Sequence, residues 1–278
     1  MTQYVHGYSE QETARLKDQA DTLARLLYGD LRFPAGALVL EAGCGAGCQT
    51  VHLAANNPQA RFVSVDISPD SLALAQRALD ARGLRNVELR QADLLRLAEA
   101  PESGDADPPA PQAYDHIFVC FVLEHLPDPA TALRALHGLL KPGGALTVIE
   151  GDHGSFYCHP ETPRARQTVD CLVRLQAQAG GDALIGRRLY PLLRHAGFGQ
   201  PRVEPRMVYV DGGRPELIEG FSRNTFIAMV RGVGEKAVKA ELMTQADWDA
   251  GISELEQAAT PEGAFCYTFF RATARRGE

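Results

Sequence analysis

The sequence predicts an α/β fold: a doubly wound, mostly parallel sheet of seven strands with an N-terminal helix and a helical lid insertion. Three observations support this prediction. Five short segments rich in Val, Ile, Leu and Phe alternate with helical patterns up to Glu150. Two more strand-like segments follow, and a mostly helical stretch, Pro215–Ala259, separates them. Such alternation implies right-handed crossovers, with ligands at the carboxyl ends of the strands.

The first element is an amphipathic helix over Gln11–Tyr28, whose apolar residues recur at helical spacing. Ser9 is a suitable N-cap and Gly29 a suitable stop. The seven strands are predicted at Ala37–Glu41, Arg61–Asp66, Val87–Gln91, His116–Phe121, Ala145–Glu150, Val203–Val210 and Ala264–Thr273.

After Glu150 the alternation stops. We expect a loop to about Pro163, a helix over Ala165–Ala179 and a second helix over Arg187–Ala196. The run Ala98–Gln112, rich in Pro, Glu, Asp and Ser, is predicted to be an exposed loop. The chain is expected to form an N-terminal helical cap, residues 1–35, and one domain, residues 36–278, with the lid inserted at about residues 214–262.

Composition restricts the partners. A net charge of -7 and a pI near 5.7 make a nucleic-acid partner unlikely. No signal peptide or membrane span is recognisable, so the cytoplasm is the expected compartment. The six cysteines contain no C-x-x-C pair, which disfavours disulfides and structural zinc, and no metal is expected. A monomer and a homodimer both remain open.

The strongest local signal is the segment Glu41–Gly47, which directly follows the first apolar strand. Its three glycines allow a tight turn and a close approach of the backbone to a ligand. The spacing is G-x-G-x-G, and Cys48 stands where a dinucleotide fingerprint has its third small residue, which disfavours NAD. Glu41 fits a nucleoside that carries an amino acid, because such a ligand needs a polar anchor.

Acidic residues follow the next two strands. Asp66 stands where a carboxylate can accept hydrogen bonds from both ribose hydroxyls. Asp93 could accept one from the exocyclic amine of adenine. Either acid by itself is equally consistent with a strand-end or helix-cap residue.

Taken together, Leu38–Gly47, Val65–Ile67, Ala92–Leu94 and Phe121–Leu126 resemble, in order, the motifs of the class I S-adenosylmethionine-dependent methyltransferases, which have a Rossmann-like fold. Leu140–Gly144 is similar to that family's turn into strand five, and the resemblance covers roughly residues 36–150. It implies S-adenosylmethionine as cofactor and S-adenosylhomocysteine as product. It also implies cofactor contacts from Gly43, Gly45 and Gly47 to the methionine part, from Asp66 to the ribose, from Asp93 to the adenine, and from Ile67, Leu94 and Phe121 around the ring. Ala92 and His125 are further candidate cofactor contacts.

The candidate catalytic residues follow strand five, at the same carboxyl edge of the predicted sheet. Asp152 and His153 follow strand five, near the expected position of the methyl group, and form the candidate catalytic pair. A turn-capping Asp152 and a backbone-bonded His153 are the alternative. Arg15 could bind the cofactor carboxylate, although an ordinary surface arginine is also consistent. Candidate substrate contacts are Tyr8, Tyr157, Arg206 and Tyr267, with a core role as the alternative for the tyrosines.

The sequence thus favours methyl transfer from S-adenosylmethionine to a small molecule, at an N, O, S or C atom that it does not determine. An NAD-dependent oxidoreductase and a non-enzymatic S-adenosylmethionine-binding protein are the alternatives. A nucleic-acid methyltransferase is disfavoured, because the amino-methylating signature of Asn or Asp, two prolines and an aromatic residue is absent after strand four.

Overall fold

The structure is a computed structural model that describes residues 10–97 and 111–277, with the backbone alone at residues 10–14 and 17. Tyr8, the Ser9 cap and most of the predicted Ala98–Gln112 loop lie outside the described residues.

Seven strands form one sheet, which confirms the predicted fold class. They are β1 Leu38–Ala42, β2 Arg61–Asp66, β3 Val87–Gln91, β4 Tyr114–Cys120, β5 Leu140–His159, β6 Gly199–Val210 and β7 Ala264–Arg275. Their order is β3-β2-β1-β4-β5-β7-β6. The first five pair in parallel, whereas β7 pairs antiparallel with both β5 and β6. The strand order reverses at β1, which pairs with β2 on one side and with β4 on the other, and such switch points are where open α/β sheets bind ligands.

Helices cover both faces of this sheet. They are α1 Glu10–Leu27, α2 Thr50–Asn56, α3 Pro69–Ala81, α4 Pro129–Leu139, α5 Pro163–Gln178 and α6 Leu189–His195, with short 3₁₀ turns at Leu123–His125 and Ile185–Arg188. Local sequence explains several starts: Ser68, Asp128 and Thr162 each accept a hydrogen bond from a backbone N–H in the first turn, and proline follows each cap.

The stretch between β6 and β7, here called the insertion (residues 215–258), is helical as predicted. It contains α7 Pro215–Leu217, a π-helix Ile218–Ile227, α8 Ala228–Arg231, α9 Gly234–Lys239 and α10 Gln245–Ala258. The π-helix lies against α1, where a Cβ added to Gly220 would approach the Thr22 hydroxyl to 2.6 Å. The insertion and α1 therefore pack together, but the insertion's role as a lid remains a prediction.

The predicted loop after Glu150 is wrong. Strand β5 continues through Asp152 and His153 to His159, because β7 pairs with Gly151 and Asp152 and again with Tyr157–His159. The residues Gly-Asp-His-Gly have little intrinsic strand preference, so their conformation depends on a partner more than a hundred residues away in the chain. Asp152 and His153 consequently lie inside the sheet rather than on a loop beyond it.

Two apolar clusters, one on each face, hold the layers together. One combines α1, α5 and the insertion with residues of β4, β5 and β7, and Phe118, Phe221 and Trp248 belong to it. The other places α4 and α6 against β1, β4 and β5. The carboxyl ends of β1, β2, β3 and β4 remain in a row between these clusters, and the candidate site begins there.

Candidate functional site

The glycine loop after β1 is held in a conformation that its sequence requires. Gly43, Gly45 and Gly47 all have positive φ, at +78°, +52° and +78°. A Cβ at Gly43 would lie 2.5 Å from Val122, and one at Gly47 would lie 2.9 Å from Ala75. A Cβ at Gly45 would meet nothing within 4 Å. Gly45 therefore faces open space, where a ligand can approach the backbone.

The acids on β1 and β2 support this loop. Glu41 is buried and accepts a 2.7 Å hydrogen bond from the Ser64 hydroxyl; burial raises the pKa of its carboxyl to about 7. Asp66 accepts hydrogen bonds from the backbone N–H of Gly45 (2.8 Å) and of Ser68 (2.9 Å). Each Asp66 oxygen retains a second lone pair, so the side chain can brace the loop and still accept a hydroxyl hydrogen.

The remaining cofactor candidates lie at neighbouring strand ends. Asp93 follows β3 and accepts a 2.9 Å bond from the Leu95 N–H, while Leu94 is buried. Ile67 follows β2 and leaves 57% of its surface exposed. Phe121 follows β4 with φ +58°, and its ring lies 5.5 Å from that of Phe269.

These features fit an adenine nucleoside. Ile67 offers an exposed apolar side chain that a flat ring can cover, next to carboxylates at two strand ends and an open glycine loop. Ala92 joins the row through its N–H, which donates to the Asp66 carbonyl at 3.0 Å. The fold brings the predicted cofactor residues of β1 to β4 to one edge of the sheet.

A second group of polar residues lies where β4 ends beside β5 and β7, and we call it the acid–imidazole cluster: Glu124, His125, Glu150, His153, Gln176 and Tyr267. Glu150 is fully buried and its Oε1 accepts from the N–H groups of Val122 and Leu123 at 3.0 and 2.8 Å. Burial, and then the charge of Glu124, raises the pKa of Glu150 well above its usual value. Glu150 therefore holds its proton more strongly than an exposed glutamate does.

Glu124 occupies the centre of the cluster. Its Oε2 accepts a 2.9 Å bond from the Gln176 amide and lies 3.9 Å from Nε2 of His153, and its Oε1 lies 3.7 Å from Nε2 of His125. Burial by itself would raise the pKa of Glu124, but the electrostatic influence of His125, His153 and Arg15 and the hydrogen bond donated by the Gln176 amide outweigh it and lower that pKa. Of the two acids Glu124 and Glu150, Glu124 is therefore the ionised carboxylate.

His153 is a buried imidazole whose Nδ1 lies 2.7 Å from the Tyr267 hydroxyl. Burial lowers the pKa of His153 below its usual value, against the opposite influence of Glu124 and Asp152. Burial also raises the pKa of Tyr267 well above its usual range. At neutral pH this pair therefore consists of a neutral imidazole and a neutral phenol.

Asp152, the other member of the candidate catalytic pair, is engaged elsewhere. Its two oxygens accept from the Arg187 guanidinium at 2.7 and 2.8 Å, and Oδ1 also accepts from the Gly154 N–H. This bidentate arrangement ties β5 to the 3₁₀ turn before α6. The geometry is that of a structural ion pair, and Glu124 takes the place beside His153 that the sequence assigned to Asp152.

The other predicted cofactor and substrate contacts lie in different parts of the structure. Arg15 on α1 is buried, donates to Gln19 at 3.0 Å and acts electrostatically on both Glu124 and His153. Tyr157 is half exposed beside Cys266 on the far part of β5. Arg206 on β6 forms ion pairs with Glu204 and Asp30. Of the predicted contacts, Tyr267 therefore belongs to the cluster, and Arg15 acts on it electrostatically.

Sequence reasoning missed Glu124 and Gln176. Glu124 stands in the quoted segment Phe121–Leu126, and its position beside a histidine after a buried strand was an available signal. Gln176 lies inside an amphipathic helix and gave none. The insertion also contributes: the Phe226 ring lies edge-on to His153 at 6.3 Å and 5.5 Å from Tyr267.

Comparisons with known proteins agree with this geometry. Residues 40–146 match the family described as methyltransferase domain. A trans-aconitate 2-methyltransferase of Azoarcus sp. (strain BH72) is 36% identical over 141 residues, 51% of this chain and 49% of that protein. A ubiquinone biosynthesis O-methyltransferase of Pseudomonas syringae pv. tomato (strain ATCC BAA-871 / DC3000) is 34% identical over 110 residues, 40% of this chain and 42% of that protein.

Similarity in structure extends further along the chain. The YcgJ protein of Bacillus subtilis has a TM-score of 0.57 and 16% identity, over 96% of this chain and 99% of that one, and this shows a shared fold. The chain spans between 34% and 60% of the length of four curated relatives that it matches. Within residues 10–97 and 111–277, no helix is long and apolar enough to cross a membrane, and no group of His, Cys, Asp and Glu is arranged for a metal ion.

Proposed function

Because residues 40–146 belong to the class I methyltransferase family, we propose that this protein transfers a methyl group from S-adenosylmethionine to a small-molecule acceptor. The observation that carries the proposal is the row of strand ends: a glycine loop open at Gly45, with Asp66 and the exposed Ile67 beside it. The other parts of the proposal depend on this row.

The residues that would hold the cofactor follow from their positions. Gly43–Gly47 would receive the methionine part, Asp66 the ribose hydroxyls, and Ile67, Asp93, Leu94 and Phe121 the adenine. Arg15 is buried at the acceptor end of the row and would serve the cofactor carboxylate or the acceptor. Glu41 is covered and bonded to Ser64, so we assign it to support of the loop rather than to direct contact.

Bound S-adenosylmethionine would supply an electrophilic methyl group on a positively charged sulfur. The protein's own contribution is to align an acceptor and exclude water, which is sufficient to accelerate an in-line displacement greatly. The insertion and α1 enclose the acid–imidazole cluster next to Phe121, and this is where we place the acceptor.

The acceptor class rests on size and charge. An enclosed cluster of buried side chains suits a compact molecule, and a net charge of -7 does not favour a polyanion. The name of the similar trans-aconitate 2-methyltransferase specifies a small-molecule acceptor for that protein. We further propose a metal-independent reaction and a cytoplasmic location, in line with the dispersed cysteines.

The test is isothermal titration of the purified protein with S-adenosylmethionine, S-adenosylhomocysteine and NAD. Micromolar binding of both adenosyl sulfur compounds without binding of NAD is the expected result. Binding of NAD alone would overturn the proposal in favour of an oxidoreductase. Binding of S-adenosylmethionine without any release of S-adenosylhomocysteine across a broad metabolite screen would favour a non-enzymatic binding protein.

A further inference from the structure

Several hydrogen-bonding atoms in the acid–imidazole cluster lack partners. Among the described residues, Glu150 Oε2 and Gln176 Oε1 are buried and have no hydrogen-bond partner. His153 is 6% exposed, and its Nε2 makes no hydrogen bond to any described residue; Glu124 Oε2 is 3.9 Å away. Buried polar atoms in proteins are nearly always paired, so two such atoms close to the buried His153 imidazole and the Glu124 carboxylate indicate a place for a ligand.

The geometry indicates that this ligand is a hydrogen-bond donor. The amide oxygen of Gln176 and the carboxylate of Glu124 are acceptors, and Nε2 of His153 becomes one in the tautomer whose Nδ1–H donates to the Tyr267 oxygen. A separation of 3.9 Å is too long for a direct bond between His153 and Glu124. An N–H or O–H group about 2.8 Å from each of them would bond to both.

We propose that Glu124 and His153 bind the N–H or O–H group of the methyl acceptor between them, and that Nε2 of His153 accepts its proton. This inference rests on the proposed function. The proton passes from the acceptor heteroatom to Nε2, and the freed electron pair forms the new bond to the methyl carbon. The pair of the broken carbon–sulfur bond stays on sulfur. Tyr267 acts as a positioning residue, because it fixes Nδ1.

Groups from each neighbouring element act on His153. The turn after β4 contributes Glu124 and His125, α1 contributes Arg15, and β5 contributes Asp152. The insertion presents an uncharged ring, Phe226. Burial keeps the pKa of His153 low, so the imidazole is neutral and ready to accept a proton at pH 7. Once protonated, it gains the attraction of the Glu124 carboxylate across 3.9 Å.

The arrangement selects a substrate class. An amine or a weakly acidic hydroxyl must lose a proton when it is methylated, and this site offers a neutral base for that proton. A carboxylic acid is already ionised at pH 7 and gains nothing from the base. The inference is therefore an amine or hydroxyl acceptor, methylated on nitrogen or oxygen.

Sinefungin provides a direct probe, because it carries an amino-bearing carbon where S-adenosylmethionine carries its methylated sulfur. Its ammonium group would lie beside Glu124 and His153. We expect wild-type protein to bind sinefungin more tightly than S-adenosylhomocysteine in calorimetry. Glu124→Gln should reduce this preference by about tenfold, a loss of one charged hydrogen bond, and leave S-adenosylhomocysteine affinity within about twofold. Glu204→Gln, which removes an acid on β6, should keep the wild-type preference.

A second measurement uses the wild-type chain. Nitrogen-15 NMR of His153 should show a lower pKa in the sinefungin complex than in the S-adenosylhomocysteine complex, because a neighbouring ammonium disfavours the imidazolium. If Glu124→Gln does not fold, His153→Gln replaces it in calorimetry. This variant should also show a smaller preference for sinefungin over S-adenosylhomocysteine. An unchanged preference in the variants, or identical His153 titrations in both complexes, would overturn the inference alone. Failure of the wild type to bind either nucleoside would overturn the proposed function and this inference with it.

Discussion

The two halves of the candidate site are built in different ways. The cofactor half, at the ends of β1 to β4, comes from short contiguous motifs, in which a loop such as Glu41–Gly47 is shaped by its own glycines. The acceptor half combines Arg15, Glu124, His153, Gln176 and Tyr267, which five separate parts of the chain supply. Local backbone requirements thus specify the first half, and long-range packing specifies the second.

Among substitutions in the cofactor half, we expect one at Gly45 to cause the largest loss of cofactor binding. We expect Gly45→Val to abolish S-adenosylhomocysteine binding, because a branched side chain would fill the open approach to the loop. Gly83→Val is the matched control: Gly83 also has positive φ, at +65°, and no neighbour within 4 Å, but it follows α3 at the opposite edge of the sheet. Both variants carry the backbone strain of a left-handed valine, about 1–3 kcal/mol. Equal affinities in calorimetry would contradict the assignment of the loop.

Asp66 should have the next largest effect. Asp66→Ala removes the acceptors proposed for the ribose and should weaken S-adenosylmethionine binding by about 1–3 kcal/mol. Asp115→Ala is its counterpart, because Asp115 accepts a bond from the Leu38 N–H at the other end of β1. That variant should lower stability and preserve affinity. A similar loss of affinity in both would mean that Asp66 only braces the loop.

Gly151 tests the long-range packing of the acceptor half. A Cβ at Gly151 would lie 2.3 Å from the Tyr267 hydroxyl, so Gly151→Ala should lower the free energy of unfolding by about 1–3 kcal/mol in urea. Adding Tyr267→Phe removes that oxygen, and the double variant should regain most of the loss. Additive losses in the two variants would show that the hydroxyl is not the obstacle.

The smallest expected effect is a change in the pKa of His153. Removing the negative charge in Glu124→Gln should lower the pKa of His153 further, because Glu124 favours the imidazolium. Since the folded-state pKa of His153 is already below its unfolded value, its contribution to stability is full above about pH 6.5 and is lost as the pH falls. NMR titration measures the first change, and urea unfolding of wild type and His153→Gln at several pH values measures the second. A raised pKa in Glu124→Gln would contradict the arrangement.

Much of the fold was predictable because its signals are local. Alternating apolar strands and helical periods identified the sheet, and the predicted bounds of β2 and β3 match the structure. The end of β5 was not predictable, since its pairing with β7 outweighs the weak strand preference of Gly151–Gly154. Because the sequence placed the end of β5 at Glu150, Asp152 was predicted to be the partner of His153. In the structure, Arg187 forms an ion pair with Asp152, and Glu124 faces the imidazole.

By itself the sequence determined the parallel sheet, the insertion, and the row formed by the glycine loop, Asp66 and Asp93, because backbone geometry and strand order are encoded over a few neighbouring residues. The tertiary structure alone decided which ionisable groups meet beneath the insertion. Glu124, His153 and Tyr267 come together only when β4, β5 and β7 are aligned and α1 covers them. Their pKa values depend on burial and mutual distance, and no local pattern of residues specifies either quantity.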